Sequence, residues 1–427
     1  MSDPYTFPNE ILEIIFNFCD VYTLYQLSMV CKQFSTVAGN TLNKKSQHLF
    51  VSIANQEGKK FYKRCKPLLS SYNSKFITYY NWIFAGFKES YIHEAEEKMC
   101  KGTFYRKNKC LEMTENTVWF CDDNNVFAYN RAKNGTIKKN KMIVGNNNTF
   151  IKSIALSDDY IISGDVDGII KHWKIESEKD RRNYLKYSVI HNVHEQIDLI
   201  DATSQHIITG SENFIKILKY TNDKTGCTEE NEIFCEADVE RLEMQLLDHD
   251  SCVESISFDP IGTKFAASSY DLHEYYNPPS TFLIYDIEKN YHVMVKKFGD
   301  NCLQLLWEDP QTILMCFKYY IKKMDIRTSE VVRTWDTSNY EELLMCCSSD
   351  NQYTFMTGYS KVILWDQRQS DAIQTYTMEH DDKSISALEF DNSHIYVVKH
   401  EDLYELDFTG KQHFDHKKIK KLFGNFY

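Results

Sequence analysis

The 427-residue sequence predicts a small all-α module and a helical linker followed by an all-β propeller of seven blades. Three observations carry this expectation. The first 38 residues crowd apolar side chains at helical spacing. From about residue 103 the text changes to short alternating runs broken by Asp, Asn, Ser and Gly. Those runs recur at a nearly constant period. The boundaries read as 1–45 for the module, 46–102 for the linker and 103–427 for the propeller, with an acidic insert at 221–250.

The module opens with "FPNEILEIIFNFCD" from Phe7. Pro8 suits a first helical turn, where its missing N–H costs nothing. Asn9 and Glu10 bring polar and acidic groups to the positive helix end. Ile11, Leu12, Ile14, Ile15, Phe16 and Phe18 are too many for one core-facing stripe. "TLYQLSMVCKQFSTVA" follows, with Thr23 as the expected N-cap and Leu24, Leu27, Val30, Cys31, Phe34, Val37 and Ala38 at helical intervals. A segment of about 40 residues is too small to bury all this by itself. Part of the apolar surface must meet either the rest of the chain or a partner protein.

This stretch resembles an F-box. The matching residues are Phe7-Pro8, Glu10-Ile11, Ile14-Ile15-Phe16, Asp20, Leu24, Leu27, Val30-Cys31-Lys32 and Phe34; Phe7 stands for the usual leucine and Phe34 for the usual tryptophan. The resemblance implies docking to the Skp adaptor of a cullin–RING ubiquitin ligase. The expected contacts are Phe7, Pro8, Ile11, Ile15, Leu24, Leu27, Val30, Cys31 and Phe34, over an interface of about 1,600 Å². Leu27→Asp is expected to abolish docking and leave the propeller folded.

The linker mixes Lys with aromatics, as in "GKKFYKRCKPLLSSYNSKFITYYNWIF". Such a mixture occurs in RNA-binding segments, but amphipathic helices with packed aromatics and wet lysines explain it better. The net charge of −12 also argues against a general nucleic-acid partner.

In the body, a small-residue turn and an apolar run recur with anchors at Tyr129, Trp173, Leu218, Tyr285, Met324, Trp365 and Leu406. The anchors lie 44, 45, 67, 39, 41 and 41 residues apart. All but one interval match a four-stranded propeller blade, about 40–45 residues. Before each anchor sit two alternating strands joined by a turn, as in "IKSIALSDDYIISG" and "VESISFDPIGTKFAAS". Closing the ring requires a strand from outside the last repeat, expected within 103–109. These units resemble WD repeats: Trp365-Asp366 is the literal dipeptide, with Tyr285-Asp286, Met324-Asp325 and Leu406-Asp407 as variants. The opening Gly-His is missing; only His194, His249 and His380 fall near its place. The order of parts resembles the F-box/WD-repeat substrate receptors. It implies that the propeller loops hold a protein substrate.

The 67-residue interval contains "NDKTGCTEENEIFCEADVERLEMQLLDHD", with ten Asp or Glu between 223 and 250. It reads as a solvated surface loop or a contact for a basic partner, and "CEADVERLEMQLLDHD" as a short helix. Some receptors of this family clasp phosphopeptides with arginines on the blade turns. The corresponding positions here hold Val166, Glu212, Lys318, Tyr359-Ser360 and His400, so that design is not expected and the substrate-binding residues stay unassigned.

No nucleophile elbow, phosphate-cradling loop or HExxH motif occurs. His191 and His194 with Glu195 find no third ligand by spacing. The chain is expected to be non-catalytic, without metal or cofactor. No secretory leader or membrane span is read, and thirteen scattered Cys without a CxxC pair suit an intracellular, cytoplasmic or nuclear protein. Two functions remain: substrate receptor of the ligase, or a WD-repeat scaffold that does not direct ubiquitin transfer.

Overall fold

The computed structural model describes residues 7–19, 21–49, 64–65, 72–94, 110–146, 149–157, 160–174, 187–192, 196–211, 214–220, 239–245, 251–271, 279–338, 343–350, 353–379, 384–399 and 401–410. Among the described residues four helices come first: α1 (Asn9–Asn17), α2 (Val21–Ser28), α3 (Lys32–Leu49) and α4 (Tyr72–Phe84). Among them no helix is long and apolar enough to cross a membrane. Pro8 sits one place ahead of α1 with ψ 148°, and its carbonyl accepts the Leu12 N–H at 3.1 Å. Because α2 starts at Val21, Thr23 lies inside its first turn rather than at its cap. The apolar spacing begins only at Leu24, and helices run past their periodic residues.

The strands follow. β1 (Lys88–His93) precedes blade 1, which is β2 (Leu111–Met113), β3 (Thr117–Asp122), β4 (Asn125–Arg131) and β5 (Ile137–Asn146). Blade 2 is β6 (Ile151–Ser157), β7 (Tyr160–Asp165), β8 (Ile169–Lys174) and β9 (Tyr187–Asn192). Blade 3 is β10 (Leu199–Ala202), β11 (His206–Gly210), β12 (Phe214–Tyr220) and β13 (Val239–Gln245). Blade 4 is β14 (Ser251–Phe258), β15 (Lys264–Asp271), β16 (Ser280–Asp286) and β17 (Tyr291–Phe298). Blade 5 is β18 (Cys302–Asp309), β19 (Thr312–Phe317), β20 (Tyr320–Asp325) and β21 (Glu330–Asp336). Blade 6 is β22 (Cys346–Ser349), β23 (Thr354–Gly358), β24 (Val362–Asp366) and β25 (Ala372–Tyr376). Blade 7 is β26 (Ile385–Phe390), β27 (His394–Lys399) and β28 (Asp402–Asp407), completed by β1.

The first strands of successive blades touch in a closed circle, β2 to β6 and onward through β26 back to β2. The molecule is thus a seven-bladed β-propeller. Stacking hides the blade faces, and closure removes the open ends of the array. All seven predicted anchors are buried on the third strand of their blade. The aspartate after the anchor fixes the next turn: Asp366 and Asp325 accept the N–H of Arg368 and Arg327, each at 2.9 Å. Of the WD-type hydrogen bonds, Trp173 Nε1–H donates to Ser163 Oγ at 3.1 Å and Trp365 Nε1–H to Thr357 Oγ1 at 3.0 Å. Trp307 and Trp335 instead donate to the carbonyls of Ser257 and Gln369. Cys346 and Cys347 occupy opposite faces of β22, one in the core between blades 6 and 7 and one between blades 5 and 6.

Two further expectations are corrected. The closing strand is β1, inside the range read as helical linker, whereas 103–109 lie outside the described residues. β1 pairs antiparallel with β28 from Lys88↔Asp407 to Tyr91↔Tyr404. The acidic stretch 239–245 is not helical but forms β13, with Ile217 opposite Leu242 and Ile215 opposite Met244. A blade leaves its third strand with an open edge, and pairing that edge outweighs the local helical preference.

The linker is fastened to the ring at blades 6 and 7. Trp82 of α4 stacks on Phe408 (3.8 Å between centroids) and donates to the Asn392 carbonyl, while Asn81 donates to the carbonyls of Phe408 and Gly410. Arg64 donates to the Glu389 carboxylate and the Ser349 carbonyl, both at 2.5 Å. At the seam, Arg131 of β4 meets Asp391, the Tyr396 hydroxyl and the carbonyls of Arg64, Thr114, Glu115 and Gly135. Gly135 has φ +97°, and a Cβ there would lie 2.6 Å from the His394 ring, so only glycine fits.

Candidate functional site

The helical module has an apolar inside and an apolar outside. Leu12 and Phe16 of α1 join Leu24, Val37, Ala38 and Leu42 in a small core, with Cys19, Leu27 and Phe34 packed against it. Phe16 and Phe34 meet edge to face at 5.4 Å. A second stripe of α1, Ile11, Ile14, Ile15 and Phe18, follows the spacing i, i+3, i+4, i+7 and is exposed, Phe18 by 83%. Phe7, Met29 and Val30 are exposed as well, Val30 by 66%.

Gln33 joins the two parts of this surface. Its Nε2 donates to the Phe7 carbonyl at 2.8 Å and the Asn9 Oδ1 at 3.0 Å, tying the start of α1 to the start of α3. The Cys31 sulfur accepts the Phe34 N–H at 3.4 Å and so acts as a weak cap on α3. Lys44 and Glu13 pair at 3.2 Å on the surface, which fixes little. The outcome is an apolar stripe that the module leaves exposed after its own core is filled.

The expected contact residues divide. Phe7, Pro8, Ile11, Ile15, Val30 and Cys31 are exposed. Leu27 and Phe34 are half-buried against the module's own core. Leu24 is fully buried there and cannot reach a partner. Ile14, Phe18 and Met29 were not among the expected contacts, yet they are exposed too. Subtracting the buried stripe 12, 16 and 19 from the α1 apolar set would have found Ile14 and Phe18; no comparable signal marks Met29.

Around the ring, Lys318 is exposed and Val166, Tyr359 and Ser360 are half-buried, while Glu212 and His400 lie outside the described residues. His191 lies on β9; His194 and Glu195 lie outside the described residues, as do 221–238 and 246–250 of the acidic insert. Among the described residues no group of three or more His, Cys, Asp or Glu is arranged to hold a metal ion. The cysteines with described side chains are free thiols.

The F-box domain family matches residues 6–45. No curated protein matches the chain. Among solved structures, the chain is similar to one in the crystal structure of the mitotic checkpoint complex, with TM-score 0.54, 12% identity, and 75% of this chain and 92% of that one covered. It is also similar to the WD40 β-propeller domain of Doa1, with TM-score 0.48, 17% identity and coverage of 68% and 88%. At these identities the likeness concerns the fold alone, and the first carries it. The chain couples an F-box domain to a seven-bladed propeller.

Proposed function

We propose that this protein is the substrate-recognition subunit of a Skp–cullin–F-box ubiquitin ligase. The observation that carries the reading is the exposed stripe Ile11, Ile14, Ile15 and Phe18, with Phe7, Met29 and Val30 exposed as well, on a domain matched to the F-box family. In this reading the face docks an Skp-type adaptor, and through it a cullin–RING ligase. The propeller holds a protein substrate on its loops. The chain performs no bond chemistry; it raises the local concentration of substrate lysines at the ubiquitin-conjugating enzyme. The Trp82 and Arg64 contacts support this role, because they fix the linker to the ring that carries the substrate. Free thiols suit the cytoplasm or nucleus. Within the F-box/WD-repeat proteins we place it beside dactylin, on linker and propeller length and on the long reach "SSYDLHEYYNPPSTFLIYDI" in blade 4. That placement rests on sequence pattern alone.

The test is reconstitution with the adaptor, the cullin–RING core and the conjugating enzymes. A receptor directs ubiquitin onto proteins retained by the propeller. A scaffold binds the adaptor, retains the same proteins and leaves them unmodified.

A further inference from the structure

The junction of blades 4 and 5 holds a cation among three aromatic rings. The Lys322 ammonium lies 5.3 Å from the ring centroid of Phe298, 5.1 Å from that of Phe317 and 4.5 Å from that of Tyr320. Phe298 closes β17, Phe317 closes β19, and Tyr320 opens β20, so three strand ends converge on one point. Phe298 and Phe317 stand edge to face at 5.5 Å, and Phe317 and Tyr320 are tilted at 4.8 Å. Each ring is within the range of about 6 Å where its quadrupole attracts a cation. The Tyr320 hydroxyl donates to the Asp300 carboxylate, which adds negative potential at the rim of the cage.

We propose that this cage is a binding site for the methylated ammonium of a lysine on a protein partner, with Lys322 as its internal occupant. Three features lead there. First, the rings suit a cation without N–H groups better than the one they hold. An unmodified ammonium carries three donors, and among the described residues Lys322 has no hydrogen-bond acceptor and no ion pair. Neighbouring Lys296 shows the contrast: it also faces the Phe298 ring, at 5.7 Å, but donates to the Ser329 carbonyl at 2.7 Å. Second, Lys322 is only half-buried, and its four-carbon stem lets the ammonium leave without moving the backbone. Third, Phe298 and Phe317 are buried in the core between blades 4 and 5, but the side of the site formed by Tyr320 and Lys322 is half-exposed. It lies at the connections 299–301 and 318–319, where Lys318 and Tyr319 are exposed. This is the opposite end of the strands from turn 391–393 and segment 408–410, against which α4 packs. The proposal goes beyond the ligase reading and does not depend on it.

The test uses the full chain and two probes, the N-acetyl methylamides of trimethyl-lysine and of lysine. Lys322→Ala empties the cage and should bind the trimethyl probe at least tenfold more tightly than the unmodified one, and more tightly than wild type does. Lys322→Met fills the cage with a neutral side chain and should not bind. Adding Tyr320→Leu to Lys322→Ala should remove the gain. Equal affinity for both probes, or no binding by a folded Lys322→Ala protein, overturns the proposal. A second measurement needs no variant. Acylation of Lys322 by a succinimidyl ester, read by mass spectrometry, should rise in tetramethylammonium chloride relative to sodium chloride at equal ionic strength. Equal labelling in the two salts overturns the proposal.

Discussion

Arg131 of blade 1 and Asp391 of blade 7 form an ion pair across the seam where the ring closes, with both side chains fully buried. Burial by itself pushes the Asp391 carboxyl up, but the Arg131 guanidinium, with His394 and the Ser393 N–H, holds it well below the usual carboxylate range. A buried pair loses most when one member is removed, because the other charge is left uncompensated.

Arg131→Ala is therefore expected to cost about 3–5 kcal/mol, read as a drop in the denaturant midpoint. A pH series tests the same seam. The folded pKa of Asp391 is depressed, so its contribution is complete above the unfolded value of about 3.9 and is lost as pH falls through the folded value. Wild type should lose stability more steeply than Asp391→Asn below about pH 4. Parallel curves for the two proteins would show that the pair does not tie the seam.

The closing strand and α4 should behave as parts of the propeller. Trp82 is fully buried on Phe408, and Trp82→Ala is expected to cost about 3–5 kcal/mol. A chain starting at residue 95 lacks β1 and should expose the edge of β28 and aggregate, whereas one starting at residue 64 should melt cooperatively. Equal melting of the two would contradict closure by β1.

His172 of β8 stacks on Tyr160 at 3.8 Å, and burial pushes its pKa down to about 4. The unfolded imidazole titrates near 6.5, so blade 2 should keep its full stability above that pH and lose it progressively toward pH 4. His172→Phe keeps the stack and removes the titration, and should flatten this part of the curve. His206 shifts the same way, so a remainder should persist. An unchanged slope in His172→Phe would assign the loss elsewhere.

The fold was readable because period and anchor residues are local signals: every anchor from Tyr129 to Leu406 sits where the spacing put it. The closing strand was not, because "KESYIH" alternates weakly and follows a lysine-rich helical text. Its strand character comes from β28, about 310 residues away. For the same reason β13 read as helix, since only the edge of β12 makes it a strand. Which apolar residues of the module stay exposed was half readable. Motif matching marked Ile11, Ile15 and Val30 but placed Leu24 on the outside, because a motif records which residues recur and not which way they point. The aromatic cage left no trace in the sequence, since its rings come from two blades.

That division changes the decisive variant. Leu27 packs against the module's own core, so Leu27→Asp would unfold the domain and lose docking for the wrong reason. Ile11 and Ile15 are exposed on one stripe and carry no internal contact of that kind. The measurement is co-purification of the full chain with an Skp-type adaptor, wild type against Ile11→Asp/Ile15→Asp, with melting recorded for both. Wild type is expected to retain the adaptor, the double variant to lose at least a hundredfold in affinity, and both to melt alike. Equal retention of the adaptor by the two proteins, or by neither, would contradict that expectation.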